Sequence, residues 1–313
     1  MTRVGEKRYL VLVDGSGQSL AAARYMGRML AGKPAEMVLF HVYSAIPEAF
    51  WDLAQDPLLT VPIEKEGGWE VFQRRLVHEF MEEAKGGAVQ SGMAPEAIRV
   101  VVKDKKDGIS RDIIAEARQG YEGAVLGRTG LSNLKRLILG SNSSKVLGGV
   151  GPVSLGVCTG RPEGRGALIG LDPSEGAMKA VAFAGQFLAG TQDPVVLFHA
   201  VRALAPLGGE GKKEYDGLEK ILTMESAALM APVFDKAKKM LIESGIREGL
   251  ISIKAVSRAS SRAWAIVSEA KSSGRGTIIL GRRGMSKVRE FMVGRVSNKT
   301  TALAENACVF VAG

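Results

Sequence analysis

Glycines recur at fixed distances twice in this chain. Gly127, Gly130 and Gly140 are spaced G-x2-G-x9-G and followed by Ser141; Gly281, Gly284 and Gly294 repeat the spacing 154 positions later and are followed by Arg295. A glycine lets the backbone bend and approach a ligand with no side chain in the way. After Gly140, Ser141-Asn142-Ser143 opens a helix-friendly stretch, where N–H groups not yet bonded within the helix and nearby hydroxyls make a seat for an anion. The chemistry such a set could do is recognition of phosphate. Asp14 and Asp172, 158 positions apart, each close an apolar run and can accept hydrogen bonds from a sugar hydroxyl or a base amine. Two other phosphate motifs are missing. There is no G-x4-G-K-[ST], and "DGSGQS" at 14–19 breaks G-x-G-x-x-G at its third glycine.

The elements that must position these residues also come in two copies. "RYLVLVDGS" answers "ALIGLDPSE", "MVLFHV" answers "VVLFHA", and "EGAVLG" answers "GTIILG". The spacing drifts from 158 to 154, a net loss of four residues in the second copy that falls in loops. "CTGRPEGRG" at 158–166 reads as the linker, dividing the chain into domains 1–160 and 161–313. Strands are predicted near 8–13, 37–42, 98–103, 122–126 and 153–157, then near 167–171, 195–199, 250–256, 277–280 and 308–312. Helices are predicted near 18–31, 69–91, 109–119 and 132–147. The strand runs are rich in Val, Ile and Leu and do not alternate with polar residues, the pattern of a parallel sheet covered on both faces. The fold class is therefore α/β: two tandem doubly wound domains, each with a five-stranded parallel sheet. Ligands of such sheets sit at the carboxyl ends of the strands where the winding reverses. The long, proline-bearing segment 43–68 leaves the second strand at that end and is either a lid or a surface ornament.

The chain has 313 residues, 46% of them apolar, enough for two cores, and no apolar run approaches a membrane span. The N-terminus lacks a secretory signal, so a cytoplasmic protein is expected. Cys158 and Cys308 form neither a disulfide framework nor a metal cluster and read as small core residues. The net charge of +9 is uneven, with 20 basic and 18 acidic residues in 1–160 against 22 and 15 in 161–313. Between Arg258 and Lys299 ten basic residues face two acidic ones, which suits phosphate or a solvated surface. Nucleic acid is disfavoured because no aromatics interleave with these charges.

The motif G-x2-G-x9-G-S, with "VDGS" and "MVLFHV", resembles the universal stress protein (UspA) family over nearly the whole chain, as two tandem copies. The resemblance implies a Rossmann-like sheet of order 3-2-1-4-5, dimers, and binding of ATP or AMP, with Mg²⁺ as a companion of the phosphates. It implies that Asp14 contacts the nucleoside and Val42 lines the base. Gly127, Gly130, Gly140, Ser141, Asn142 and Ser143 become the ribose and phosphate set. In the second repeat the matches are Asp172, Ala200, Gly281, Gly284, Gly294, Arg295 and Ser297. Arg295 stands where Ser or Thr is the family pattern; it either pairs with phosphate or fills its seat, so the first repeat is the better-formed site.

Other residues read as structural. His41 and His199 are satisfied strand histidines, and Ser16 and Ser174 are helix N-caps. The Met-rich stretch 221–234 is the apolar face of a helix against the sheet. Three functions stay open: an adenine-nucleotide-binding stress or signalling module, a slow ATP hydrolase using the same pocket, and an interaction scaffold with vestigial sites. No catalytic base stands out, so whether the protein is an enzyme is left open. The apolar last strands "VSLGV" and "CVFVA" would be exposed edges unless the two copies join as an intramolecular pseudo-dimer; a homodimer is a further option.

Overall fold

Ten strands form one sheet. The structure, a computed structural model, describes residues 7–44, 66–128, 146, 149–203, 212–284 and 293–313, with backbone alone for 66–69 and 212–216. In the first half the strands are β1 (Lys7–Leu12), β2 (Ala35–Tyr43), β3 (Ile98–Asp104), β4 (Gly123–Gly127) and β5 (Ser154–Thr159). In the second they are β6 (Ala167–Gly170), β7 (Val195–Arg202), β8 (Ile251–Ala259), β9 (Thr277–Gly281) and β10 (Ala307–Ala312). The sheet runs β3-β2-β1-β4-β5-β10-β9-β6-β7-β8, so each half has the order 3-2-1-4-5. All pairings within a half are parallel, and the halves join through an antiparallel β5–β10 pair.

The antiparallel join explains the short linker. It puts the carboxyl end of β5 and the amino end of β6 on the same rim of the sheet, three strand positions apart. That is about 14 Å at the spacing of neighbouring strands. The connection from Gly160 to Gly166 can reach about 23 Å when extended.

Helices cover both faces. One carries α1 (Gly17–Leu30), α2 (Glu66–Gln90), α4 (Glu175–Leu188) and α5 (Lys212–Glu243); the other carries α3 (Ile109–Ala117), α6 (Arg262–Ser272) and α7 (Arg295–Leu303). The first face is one continuous core across both repeats, in which Tyr25, Phe183, Phe187 and Phe310 meet at the junction. α1 and α4 start alike. Ser16 and Ser174 accept the N–H groups of Ser19 and Ala177, each at 3.2 Å, and so fill the N-cap role.

The predicted elements fall on the observed ones wherever the chain is described; the helix read near 132–147 and the core of segment 43–68 lie outside the described residues. One reading needs correction. In α5, Met230, Phe234, Ala237 and Leu241 are buried against the sheet, whereas Ile221, Leu222, Met224 and Leu229 are exposed. A 32-residue helix is about 48 Å long. The nine-residue β8 spans only about 30 Å, so the helix is longer than the strand it packs against. Among the described residues no helix is long and apolar enough to cross a membrane.

Candidate functional site

In each half strands 1 and 4 are neighbours, β1 with β4 and β6 with β9, and the winding reverses between them. Asp14 and Gly127 leave the carboxyl ends of the first pair; Asp172 and Gly281 leave those of the second. The Asp14 carboxylate accepts from the backbone N–H of Ser16 at 3.0 Å and from its hydroxyl at 2.6 Å. Asp172 repeats this, accepting from Ser174 N–H at 3.2 Å and from the Ser174 hydroxyl. One oxygen of each carboxylate is thus fixed by the turn that starts the next helix. Asp14 is exposed and Asp172 half-buried.

The first glycine of each motif is explained by packing. A β-carbon on Gly127 would lie 2.5 Å from Gln18 C and Ser19 N, and one on Gly281 would lie 2.5 Å from Gly176 C and O. The end of strand 4 is pressed against the first turn of α1 or α4, which no side chain would allow. The second and third glycines of the second repeat close the crevice from above. A β-carbon on Gly284 would strike the Asp172 carboxylate, so this loop rides directly over the acid. Gly294 donates its N–H to the Arg282 carbonyl at 2.7 Å, and a β-carbon there would sit 3.2 Å from the same oxygen. Its φ of −63° is open to any residue, so the requirement is for space.

Ser297 and Arg295 sit differently from one another. The Ser297 hydroxyl is buried and donates to the Gly281 carbonyl at 2.7 Å, stapling the first turn of α7 to the end of β9. It is committed to the fold. Arg295 opens α7 and is exposed. Val42 and Ala200 are each 5% exposed and pack in the sheet core, Val42 with Leu12, Phe40 and Leu126, and Ala200 with Phe198 and Leu280. Gly130, Gly140, Ser141, Asn142 and Ser143 lie outside the described residues.

The two strand histidines do matching work. His41 Nδ1 lies 2.7 Å from the Val13 carbonyl, and His199 Nδ1 lies 2.7 Å from the Leu171 carbonyl. A carbonyl only accepts, so Nδ1 carries the proton in both. Each ring therefore fixes the residue just before the site aspartate. Burial holds His41 below its usual range, against the opposing pull of the Val13 carbonyl and Asp14.

Two further residues belong to the site. Arg128, directly after Gly127, donates from Nη1 to the carbonyls of Thr301 at 3.1 Å and Ala302 at 2.6 Å, at the end of α7 in the other repeat. Arg282, directly after Gly281, donates from Nη2 to the Val153 carbonyl at 2.8 Å in the first repeat. Burial, with the neighbouring Arg283, holds the Arg282 guanidinium below its ordinary range. The sequence signal was available: an arginine follows the first glycine of both motifs. Among the described residues no three His, Cys, Asp or Glu side chains are placed to hold a metal ion.

An open α/β sheet with a carboxylate and close-packed glycines at its switch point defines the doubly wound class. The chain belongs to the universal stress protein family, whose model matches residues 6–150 and again 165–311. A universal stress protein from Archaeoglobus fulgidus DSM 4304 is similar over 98% of both chains at 18% identity, with a TM-score of 0.61. A functionally unknown protein from Pseudomonas aeruginosa PAO1 matches over 98% of this chain and 92% of its own at 15% identity, with a TM-score of 0.56. These likenesses concern the fold. No curated protein matches the chain.

Proposed function

We propose that the chain binds an adenine nucleotide, ATP or AMP, at the switch point of its first repeat, and that occupancy serves a stress or signalling role. The observation that carries this reading is the stacking of Gly284 over Asp172, with the Gly294 N–H bonded to the Arg282 carbonyl two residues before Gly284. It supports a crevice with a carboxylate at one end and a helix start at the other, and the first repeat has the same motif with Ser141 in place of Arg295. In this reading residues 1–160 and 161–313 are the two domains, joined as a pseudo-dimer. Asp14 holds the nucleoside through its outward oxygen. The loop from Gly127 through Gly130 gives backbone close to the ribose, and Gly140, Ser141, Asn142 and Ser143 take the phosphates, which Mg²⁺ can accompany.

The second repeat is the weaker site. Its Ser297 hydroxyl is spent on Gly281 and its Gly294 N–H on Arg282, which leaves less to offer a phosphate. In this reading Val42, and Ala200 in the second repeat, line the base from near the carboxyl ends of β2 and β7.

Calorimetry with ATP tests the assignment. Wild type should bind, and Asp14→Ala and Gly140→Val should each lose at least tenfold in affinity. Arg295→Ser should add a second binding event if the arginine fills the seat. Unchanged affinity in Gly140→Val would remove the phosphate role of the motif.

A further inference from the structure

Cys158 and Cys308 face each other across the junction of the two repeats, in register on β5 and β10. The Cys308 N–H is turned to the Gly276 carbonyl at the entry of β9, at 2.9 Å, and the Cys158 carbonyl accepts the Arg128 N–H beyond β4, at 2.8 Å. The polar backbone groups of both residues therefore point away from the partner strand. That defines the non-hydrogen-bonded kind of antiparallel pair, in which Cα atoms stand about 4.5 Å apart and side chains are closest. A disulfide spans Cα separations from about 4.4 to 6.8 Å. A facing pair places both side chains on the same side of the sheet, so the two thiols are neighbours in the core that also holds Tyr25. Both residues are fully buried.

We propose that Cys158 and Cys308 are a thiol–disulfide pair whose oxidation ties the two repeats together covalently. The oxidant is a peroxide. One sulfur attacks its O–O bond, an S–O bond forms, and water leaves with the thiol proton, giving a sulfenic acid. The second sulfur then attacks the first, the S–S bond forms, and the sulfenic oxygen departs as a second water with the second thiol proton. The two sulfurs lose two electrons in all, and the peroxide is reduced to two waters. A dithiol reverses the step by exchange.

The closed fold controls when this happens. Burial pushes the Cys308 thiol well above its usual range, so thiolate is scarce, and no peroxide reaches a sulfur with no exposed surface. Oxidation requires the β5 and β10 edges to part, and renewed pairing brings the sulfurs together. The pair thus records an opening of the junction and then prevents the next one. The bond would enclose residues 159–307, nearly the whole second repeat.

The test uses the full chain and hydrogen peroxide, with and without urea below the unfolding transition. Without urea both thiols should survive and be titratable after denaturation. With urea the mass should fall by about 2 Da, both thiols should vanish together, the chain should stay monomeric, and dithiothreitol should restore it. Peptide mapping should give one cross-linked pair, and the oxidised chain should unfold at higher urea. Cys158→Ser and Cys308→Ala should instead gain about 16 or 32 Da and form no internal link. Wild-type protein that gains oxygen, links between chains, or keeps both thiols throughout the urea series would overturn the proposal.

Discussion

Arg128 and Arg282 each hold the other's repeat. Arg128 crosses the junction to the Thr301 and Ala302 carbonyls, and Arg282, its counterpart 154 positions on, crosses back to Val153. Both arginines are rooted in the loop that begins at the first glycine of the motif. The residues that shape each candidate crevice are therefore braced by the opposite half.

Removing one brace should weaken the whole chain. Hydrogen bonds from a charged donor contribute about 1.5–3 kcal/mol each, so Arg128→Ala, which loses two, should cost about 3 kcal/mol or more. Arg282→Ala should cost somewhat less, about 1.5 kcal/mol. The two contacts lie on opposite rims of the sheet, and their costs should add to within about 0.5 kcal/mol. Urea unfolding of the single and double variants measures this; a strongly non-additive double would show that the braces act as one unit.

Glycine substitutions separate packing from ligand contact. Gly281→Ala places a methyl 2.5 Å from the Gly176 backbone, which cannot yield as a flexible side chain would. A loss of about 1–3 kcal/mol is expected without any ligand present. Gly17→Ala is the control: nothing stands within 4 Å of a β-carbon there. It should be neutral or stabilising by up to about 1 kcal/mol. Thermal melts of the two variants should move in different directions, and equal melts would show that the strand–helix approach relaxes freely.

Lys33 supplies a pH dependence. Burial lowers its pKa from 10.5 to about 8, with Asp193 opposing and Lys7 assisting, while its Nζ donates to the Phe187 carbonyl at 2.5 Å. Between pH of about 8 and 10.5 the unfolded chain keeps this proton and the folded chain has shed it. Stability should therefore rise with pH across that window on account of this lysine. Lys33→Met should flatten the rise. Urea midpoints taken across the window with the same slope in both proteins would rule it out.

Residues 1–160 expressed alone should pair through β5 with a second copy. The strand is buried along its whole length against β10, and without that partner its edge is open. Light scattering should give a dimer or an aggregate, and a well-behaved monomer would count against it.

Much of this was legible in the sequence, and the failures have physical reasons. Unbroken Val, Ile and Leu runs marked all ten strands because both faces of each are covered. The turns at Asp14 and Asp172 are legible because a strand that ends in Asp before a capping serine is a local pattern. Val42 and Ala200 rest on the resemblance alone, because a fully buried strand leaves no polar mark of which residue stands beside a ligand. Ser297 matches the second-repeat motif in sequence, and only the fold shows its hydroxyl bonded to the end of β9. Gly127 and Gly281 were read as room for a ligand. The first turn of a helix also fills the space a β-carbon there would need, a contact between residues more than 100 positions apart.

The antiparallel seam between β5 and β10 makes the molecule double-ended. All carboxyl ends of the first five strands open on one rim, and those of the second five open on the opposite rim. Two occupants would look outward in opposite directions, separated by the height of the sheet. In the proposed reading a partner at one mouth has no view of the other: the seam that braces the two repeats against each other also turns their mouths apart.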